Sequence, residues 1–170
     1  MNFQDLWIFP PALFQWCESS LLGNAIKNSK WDFAILETVH IIGIAVLLGS
    51  TLVVNLRLLG FGMRRRSAAQ LEEELAPWTW GALLLMLVTG VPMFLSEAVR
   101  MSLNGPFFTK MILLSLALAI HFTIRRTATR PEAANRVGLG KLAASLSIVS
   151  WLSVALAGRA IAFFMTLNGG

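Results

Sequence analysis

The sequence predicts an all-α fold: a four-helix transmembrane bundle with an N-terminal amphipathic helix lying in the membrane interface. Three observations lead there. The composition is apolar, with 56% hydrophobic and only 14% charged residues and a mean hydropathy of +0.67. Four stretches are long enough to cross a bilayer, which takes roughly 20 apolar residues each. No set of alternating segments of about ten residues marks a membrane β-barrel. At 170 residues the chain reads as one domain. Residues 1–30 form a periplasmic, interfacial segment and residues 31–170 the four-helix transmembrane domain.

Taken in order, Met1 to Lys30 is not a signal peptide. It lacks a basic start, and Asp5, Pro10 and Pro11 break its apolar stretch. Pro11 suits a first helical turn. Ala12 to Ile26 then mixes Leu13, Phe14, Trp16, Leu21, Leu22 and Ile26 with Gln15, Glu18 and Asn24. That is the pattern of a short interfacial helix, with Trp7 and Trp16 at headgroup level. The four spans are about Trp31–Leu56, Trp78–Val99, Pro106–Ile124 and Lys141–Met165. Nearly every face of each is apolar, as expected of helices solvated by lipid. Glu72-Glu73-Glu74 follows Arg64-Arg65-Arg66 in the first connecting loop, the signature of a solvated, self-paired surface helix.

Basic residues set the orientation. The loops after helices one and three carry nine: Arg57, Arg64, Arg65 and Arg66, then Arg125, Arg126, Arg130, Arg136 and Lys141. The opposite side has Lys27, Lys30, Arg100 and Lys110, and Arg159 is left inside the membrane. The excess puts both loops in the cytoplasm of a bacterial inner membrane and both termini in the periplasm. Topology and anionic lipid account for the net charge of +5. No basic face interleaved with exposed aromatics points to nucleic acid. The single cysteine, Cys17, excludes an intramolecular disulfide and any cysteine-cluster metal site. No phosphate-binding glycine loop, nucleophile elbow or His-Glu-x-x-His pair is present.

Chemistry is expected around the two histidines, His40 and His121, because both lie inside long apolar segments. Ionisable side chains are costly in hydrocarbon and usually have a partner or a task, and neutral imidazole is the commonest metal and haem ligand. Glu37 precedes His40 by three residues and shares its helix face. Gly43 continues that face and removes bulk, which lets a flat cofactor or another helix approach. The alternative is that Glu37 and His40 are polar glue between helices. Arg159 is about 18 residues beyond Lys141, roughly 27 Å up helix four and in the same outer layer as His40. It can clamp a carboxylate such as a haem propionate, or pair with Glu37. Lys110 and Glu97 add charge at similar depth. His121 falls close to the cytoplasmic face, so one haem shared with His40 is a poor fit to the depths. Two sites, one per leaflet, fit better, with Met93 and Met86 as further axial candidates. A homodimer offering His40 twice is a third arrangement. Pro92, after Thr89-Gly90-Val91, is expected to kink helix two.

The runs Glu37–Ala45, Leu47–Ser50 and Leu56–Gly60, with Pro77, Thr89-Gly90, Asn104–Pro106 and Gly158–Ala162, resemble a widespread family of small bacterial inner-membrane proteins carried as a domain of unknown function. That resemblance implies fold and topology. The architecture is more loosely similar to copper-resistance D-type proteins and b-type cytochromes, which implies haem or copper by analogy. It differs from the diheme cytochrome b561 pattern, which needs four histidines where this chain has two.

The reading is an integral-membrane b-type haem protein transferring electrons in or across the inner membrane, an electron-transfer protein or subunit rather than a stand-alone enzyme. His40 is its principal axial ligand, Arg159 its propionate partner, and Glu37 orients a ring nitrogen. His121 is a second ligand or a cytoplasmic-side site. The alternatives are a copper-handling or transport protein using His40, Glu37 and Met93, and a non-catalytic structural subunit. The expected partners are the lipid bilayer and either a second copy of the chain or a larger membrane complex.

Overall fold

The computed structural model describes residues 10–62, 65–125, 127, 129 and 137–167. Asp5, Trp7, Arg64, Arg126, Arg130 and Arg136, named above, lie outside them. The described residues form α-helices and one π-helical turn, with no strand among them. Helices α1 (Pro11–Glu18) and α2 (Leu21–Asn28) precede the long α3 (Asp32–Leu59) and α4 (Ala68–Ser96). The short α5 (Ala98–Ser102) leads into α6 (Gly105–Ile120), which runs into the π-helical turn His121–Arg125. The last helix, α7, covers Val137–Leu167.

Local chemistry sets these boundaries. Helix α3 stops where Gly60 adopts a left-handed φ of 95°. Its N–H returns to Arg57 O at 3.1 Å and that of Phe61 to Leu56 O at 2.8 Å, closing the last turn. Helix α4 starts ten residues before the expected Trp78, because Ser67 and Gln70 form a reciprocal cap. The Gln70 N–H donates to Ser67 Oγ at 3.1 Å and the Ser67 N–H to Gln70 Oε1 at 2.9 Å. The acidic run Glu72–Glu74 is therefore the first turns of a membrane helix, and Arg66 pairs with Glu74. Pro77 and Pro92 both lie inside α4.

Among the described residues, four helices are long and apolar enough to cross a membrane: Asp32–Leu59, Ala68–Ser96, Gly105–Thr123 and Val137–Phe164. The chain is a multi-pass membrane protein, with Ile41, Ile42, Leu84, Leu87, Ile112, Leu116, Leu152 and Leu156 exposed where lipid would solvate them. Lipid gives apolar faces little reason to leave it, so small residues and hydrogen bonds hold such helices together. Leu47 (α3), Ala82 (α4), Ala117 (α6) and Trp151 with Val154 (α7) form a common core. A Cβ on Gly43 would come within 3.1 Å of Met86 Cγ and 3.7 Å of Ala82 O, so this glycine admits α4. Of the two approaches expected at Gly43, the one observed is a neighbouring helix. Polar pairs complete the contacts: Ser50 Oγ and Thr79 Oγ1 are 3.1 Å apart, and Asn55 Nδ2 donates to Ser147 Oγ at 3.0 Å.

Helix α3 packs along α4 and α7, and α7 packs along α6. Helices α4 and α6 meet through aromatic rings instead. Phe94 and Phe107 stack at 5.5 Å near one end, and Trp80 and Phe122 lie 5.3 Å apart near the other.

The expected interfacial helix is two helices, divided at Ser19–Ser20 because the Ser20 hydroxyl accepts the Gly23 N–H at 3.2 Å and caps a new start. A Cβ on Gly23 would sit 2.8 Å from Leu95 O, so α2 lies directly on the backbone of α4. Glu18 fastens this pair to the bundle, accepting the Val99 N–H at 3.0 Å and pairing with Lys27. Burial presses the Glu18 carboxyl upward, but Lys27 and the Val99 N–H outweigh it and hold the group below its ordinary 4.5. The hydrogen bond to Glu18 holds Lys27 above its ordinary value. A depressed folded value means that Glu18 contributes stability above pH 4.5, and this is lost as pH falls through the folded value. A spin label on Cys17 is therefore expected to gain mobility when the pH is taken from neutral to well below the folded value. In Glu18→Gln it is mobile at both. An unchanged spectrum across that range would rule out the Glu18 clasp.

Candidate functional site

His40, Thr89, Lys110 and Gly158 come from four different helices and share one layer near the end of the bundle that carries α1 and α2. Counted from the helix ends at that side, they lie about 12, 10, 8 and 14 Å deep at 1.5 Å per residue. His40 continues the inward face of α3 that carries the buried Gly43, Leu47, Ser50 and Val54, and is itself half-buried.

The hydrogen bonds around His40 fix its tautomer. Its Nδ1 is 2.8 Å from Thr89 Oγ1. The Thr89 hydroxyl donates its single proton to Leu85 O at 2.7 Å, a bond threonine commonly makes within a membrane helix. With that proton on Leu85 O, Thr89 accepts from the imidazole, the arrangement in which Nδ1 carries the hydrogen and Nε2 presents a lone pair. Gly90 makes this contact possible: a Cβ there would lie 3.1 Å from His40 Cε1. Thr89 thus occupies the orienting place expected of Glu37. Glu37 is exposed and forms no ion pair among the described residues. Sequence reasoning passed over Thr89, although the Thr-Gly step at His40's depth was the available signal.

Lys110 lies across α7, where a Cβ on Gly158 would be 3.8 Å from Lys110 Cε and 3.9 Å from Nζ. It is half-buried and makes no ion pair among the described residues. Arg159, the neighbour of Gly158, has the expected level but is exposed, with no ion pair to Glu37 or any other described carboxylate. Met93 is half-buried one turn beyond Thr89 on α4, and its carbonyl accepts from Ser96 Oγ at 2.9 Å. Met86 packs at Gly43.

His121 belongs to another layer. It is buried at the first residue of the π-helical turn, edge-on to Trp151 at 6.4 Å. Eleven residues separate it from Lys110, about 16 Å along the helix. Axial ligands of one iron must be level across it, so His40 and His121 do not share one. Among the described residues, no three His, Cys, Asp or Glu side chains gather as a metal-ion group.

A haem needs an imidazole with a free nitrogen, a cation for a propionate and little side-chain bulk alongside. The layer offers the first two, Nε2 of His40 and a Lys110 ammonium with no ion pair among the described residues, while the space at Gly90 and Gly158 is taken by the His40 ring and the Lys110 stem. No curated protein and no solved structure matches the chain. Residues 13–164 match the sequence model of a family of unknown function (DUF6644), and the chain belongs to that family.

Proposed function

We propose that this chain is a b-type haem protein that passes electrons in or across a bacterial inner membrane. The observation that carries the reading is the Thr89-held imidazole of His40, whose Nε2 is left as a free ligand atom in a membrane layer. When bound, haem supplies a one-electron carrier. The chain's own residues do the rest. Thr89 fixes the ring's tautomer and rotation, and Gly90 lets the ring lie against α4. Lys110 holds a propionate carboxylate, the part first expected of Arg159, because its ammonium is inside the bundle at the His40 level. The aromatic pairs Phe94–Phe107 and Trp80–Phe122 bound the α4–α6 side, where the two backbones do not close on each other. The excess of basic residues around the α3–α4 and α6–α7 connections supports a cytoplasmic side for them, with the His40 layer then toward the periplasmic face. An electron carrier works between a donor and an acceptor, so the chain acts in an oligomer or a larger membrane complex.

The test is a dithionite-reduced-minus-oxidised spectrum of protein purified from haem-replete cells, on wild type, Thr89→Val and Thr89→Ser. A Soret band with sharp α and β bands is expected in wild type and Thr89→Ser. Thr89→Val keeps the shape of threonine but cannot accept from Nδ1, and haem affinity should drop about 10–100-fold. A colourless wild type would exclude haem.

A further inference from the structure

We propose that α3 and α7 enclose a water-binding site between Thr51, Asn55 and Trp151, in the half of the bundle away from His40. Three buried side-chain atoms there have no hydrogen-bond partner among the described residues: Thr51 Oγ1, Asn55 Oδ1 and Trp151 Nε1. The residues are 2%, 1% and 3% exposed.

Helix register brings the three together. The bond from Asn55 Nδ2 to Ser147 Oγ at 3.0 Å sets the two antiparallel helices side by side. Thr51 is one turn before Asn55, and Trp151 is one turn after Ser147. Because the helices run in opposite directions, Thr51 and Trp151 are level. The three residues therefore fall within about one 5.4 Å turn of each other along the helix axes. Turning the Asn55 amide over would only exchange which of its two atoms lacks a partner.

Their chemistry selects the ligand. Trp151 Nε1–H can only donate, Asn55 Oδ1 can only accept, and Thr51 Oγ1 can do either. A cation is disfavoured, since an indole N–H has no lone pair to offer it. A water molecule matches all three, accepting from Trp151 and donating to Asn55 and Thr51. Buried waters typically make about three such bonds to groups otherwise unpaired. The neighbouring Leu47 and Val54 are 1% and 0% exposed, so this part of the helix contact is shut off from the surroundings. The site ties α3 to α7 through Trp151, whose indole also packs edge-on against His121.

Radiolytic hydroxyl-radical labelling of the full chain in nanodiscs, read by mass spectrometry, tests the site because bound water produces radicals at the side chains it touches. Trp151 is expected to be labelled despite its burial, and labelling should fall several-fold in Thr51→Val and in Asn55→Leu. The exposed Trp16 and Trp78 should keep their wild-type labelling, which normalises the radical dose, and an unchanged helical circular-dichroism spectrum reports that the variants are folded. Thr51→Val preserves side-chain shape and decides the matter alone if Asn55→Leu does not fold. An unlabelled Trp151 in the wild type, or equal labelling in wild type and Thr51→Val, overturns the proposal.

Discussion

His40→Ala is expected to give a folded but colourless protein, while His121→Ala keeps the full Soret band per folded chain. The two histidines have equal chemical potential as ligands, so their surroundings make the difference. His40 has its Nδ1 proton committed to Thr89 and sits in the layer with Lys110 and the glycines. His121 is buried against Trp151 and Phe122, about 16 Å further along α6. Loss of a group that merely orients a metal-bound imidazole costs about 10–100-fold in affinity. Loss of the imidazole itself costs more, so no haem should survive detergent purification. His121→Ala opens a cavity beside Trp151 and should lower the melting temperature without changing the spectrum of the folded fraction. Retention of the band in His40→Ala would end the assignment of His40, and its loss only in His121→Ala would move the site to the other layer.

The fold was legible because hydrocarbon imposes one requirement on every span, a long apolar run, and four such runs stand out in the chain. Their ends were less legible. Glu72–Glu74 after the arginines look like a solvated surface helix, yet the Ser67–Gln70 cap starts α4 there and the same helix then enters the apolar region. His40 was visible as an ionisable group in an apolar run. Its partner was harder to see, because a threonine in a membrane helix is sufficiently explained by the bond to its own helix's carbonyl. Only the approach of α3 to α4 shows that Thr89 accepts as well. Arg159 illustrates a separate limit. Counting residues gave its level correctly, but where nearly every helix face is apolar, periodicity says nothing about direction. The side chain is exposed on α7, and the cation inside the layer is Lys110.

Lys110→Met should have opposite effects on the empty and the loaded protein. Lys110 keeps a half-buried ammonium in a membrane span, with no described carboxylate paired to it. A lysine at the centre of a membrane helix costs about 2.5–3.5 kcal/mol, and a position nearer the surface, with a stem able to reach outward, lowers that to roughly 1–2 kcal/mol. Methionine has nearly the same length and can lie over Gly158 without the charge. Haem-free Lys110→Met should therefore unfold at a higher temperature than haem-free wild type. A charge-assisted hydrogen bond to a carboxylate is worth about 1.5–3 kcal/mol, so haem binding to the same variant should weaken by about tenfold to a hundredfold. Thermal unfolding of the haem-free proteins and haem titration by absorbance separate the two effects. If both stability and affinity fall, Lys110 is a packing residue whose stem supports α7. If stability rises and affinity is unchanged, the ammonium holds no propionate. Only the opposed pair of changes identifies a charge kept at the expense of stability for an anionic ligand.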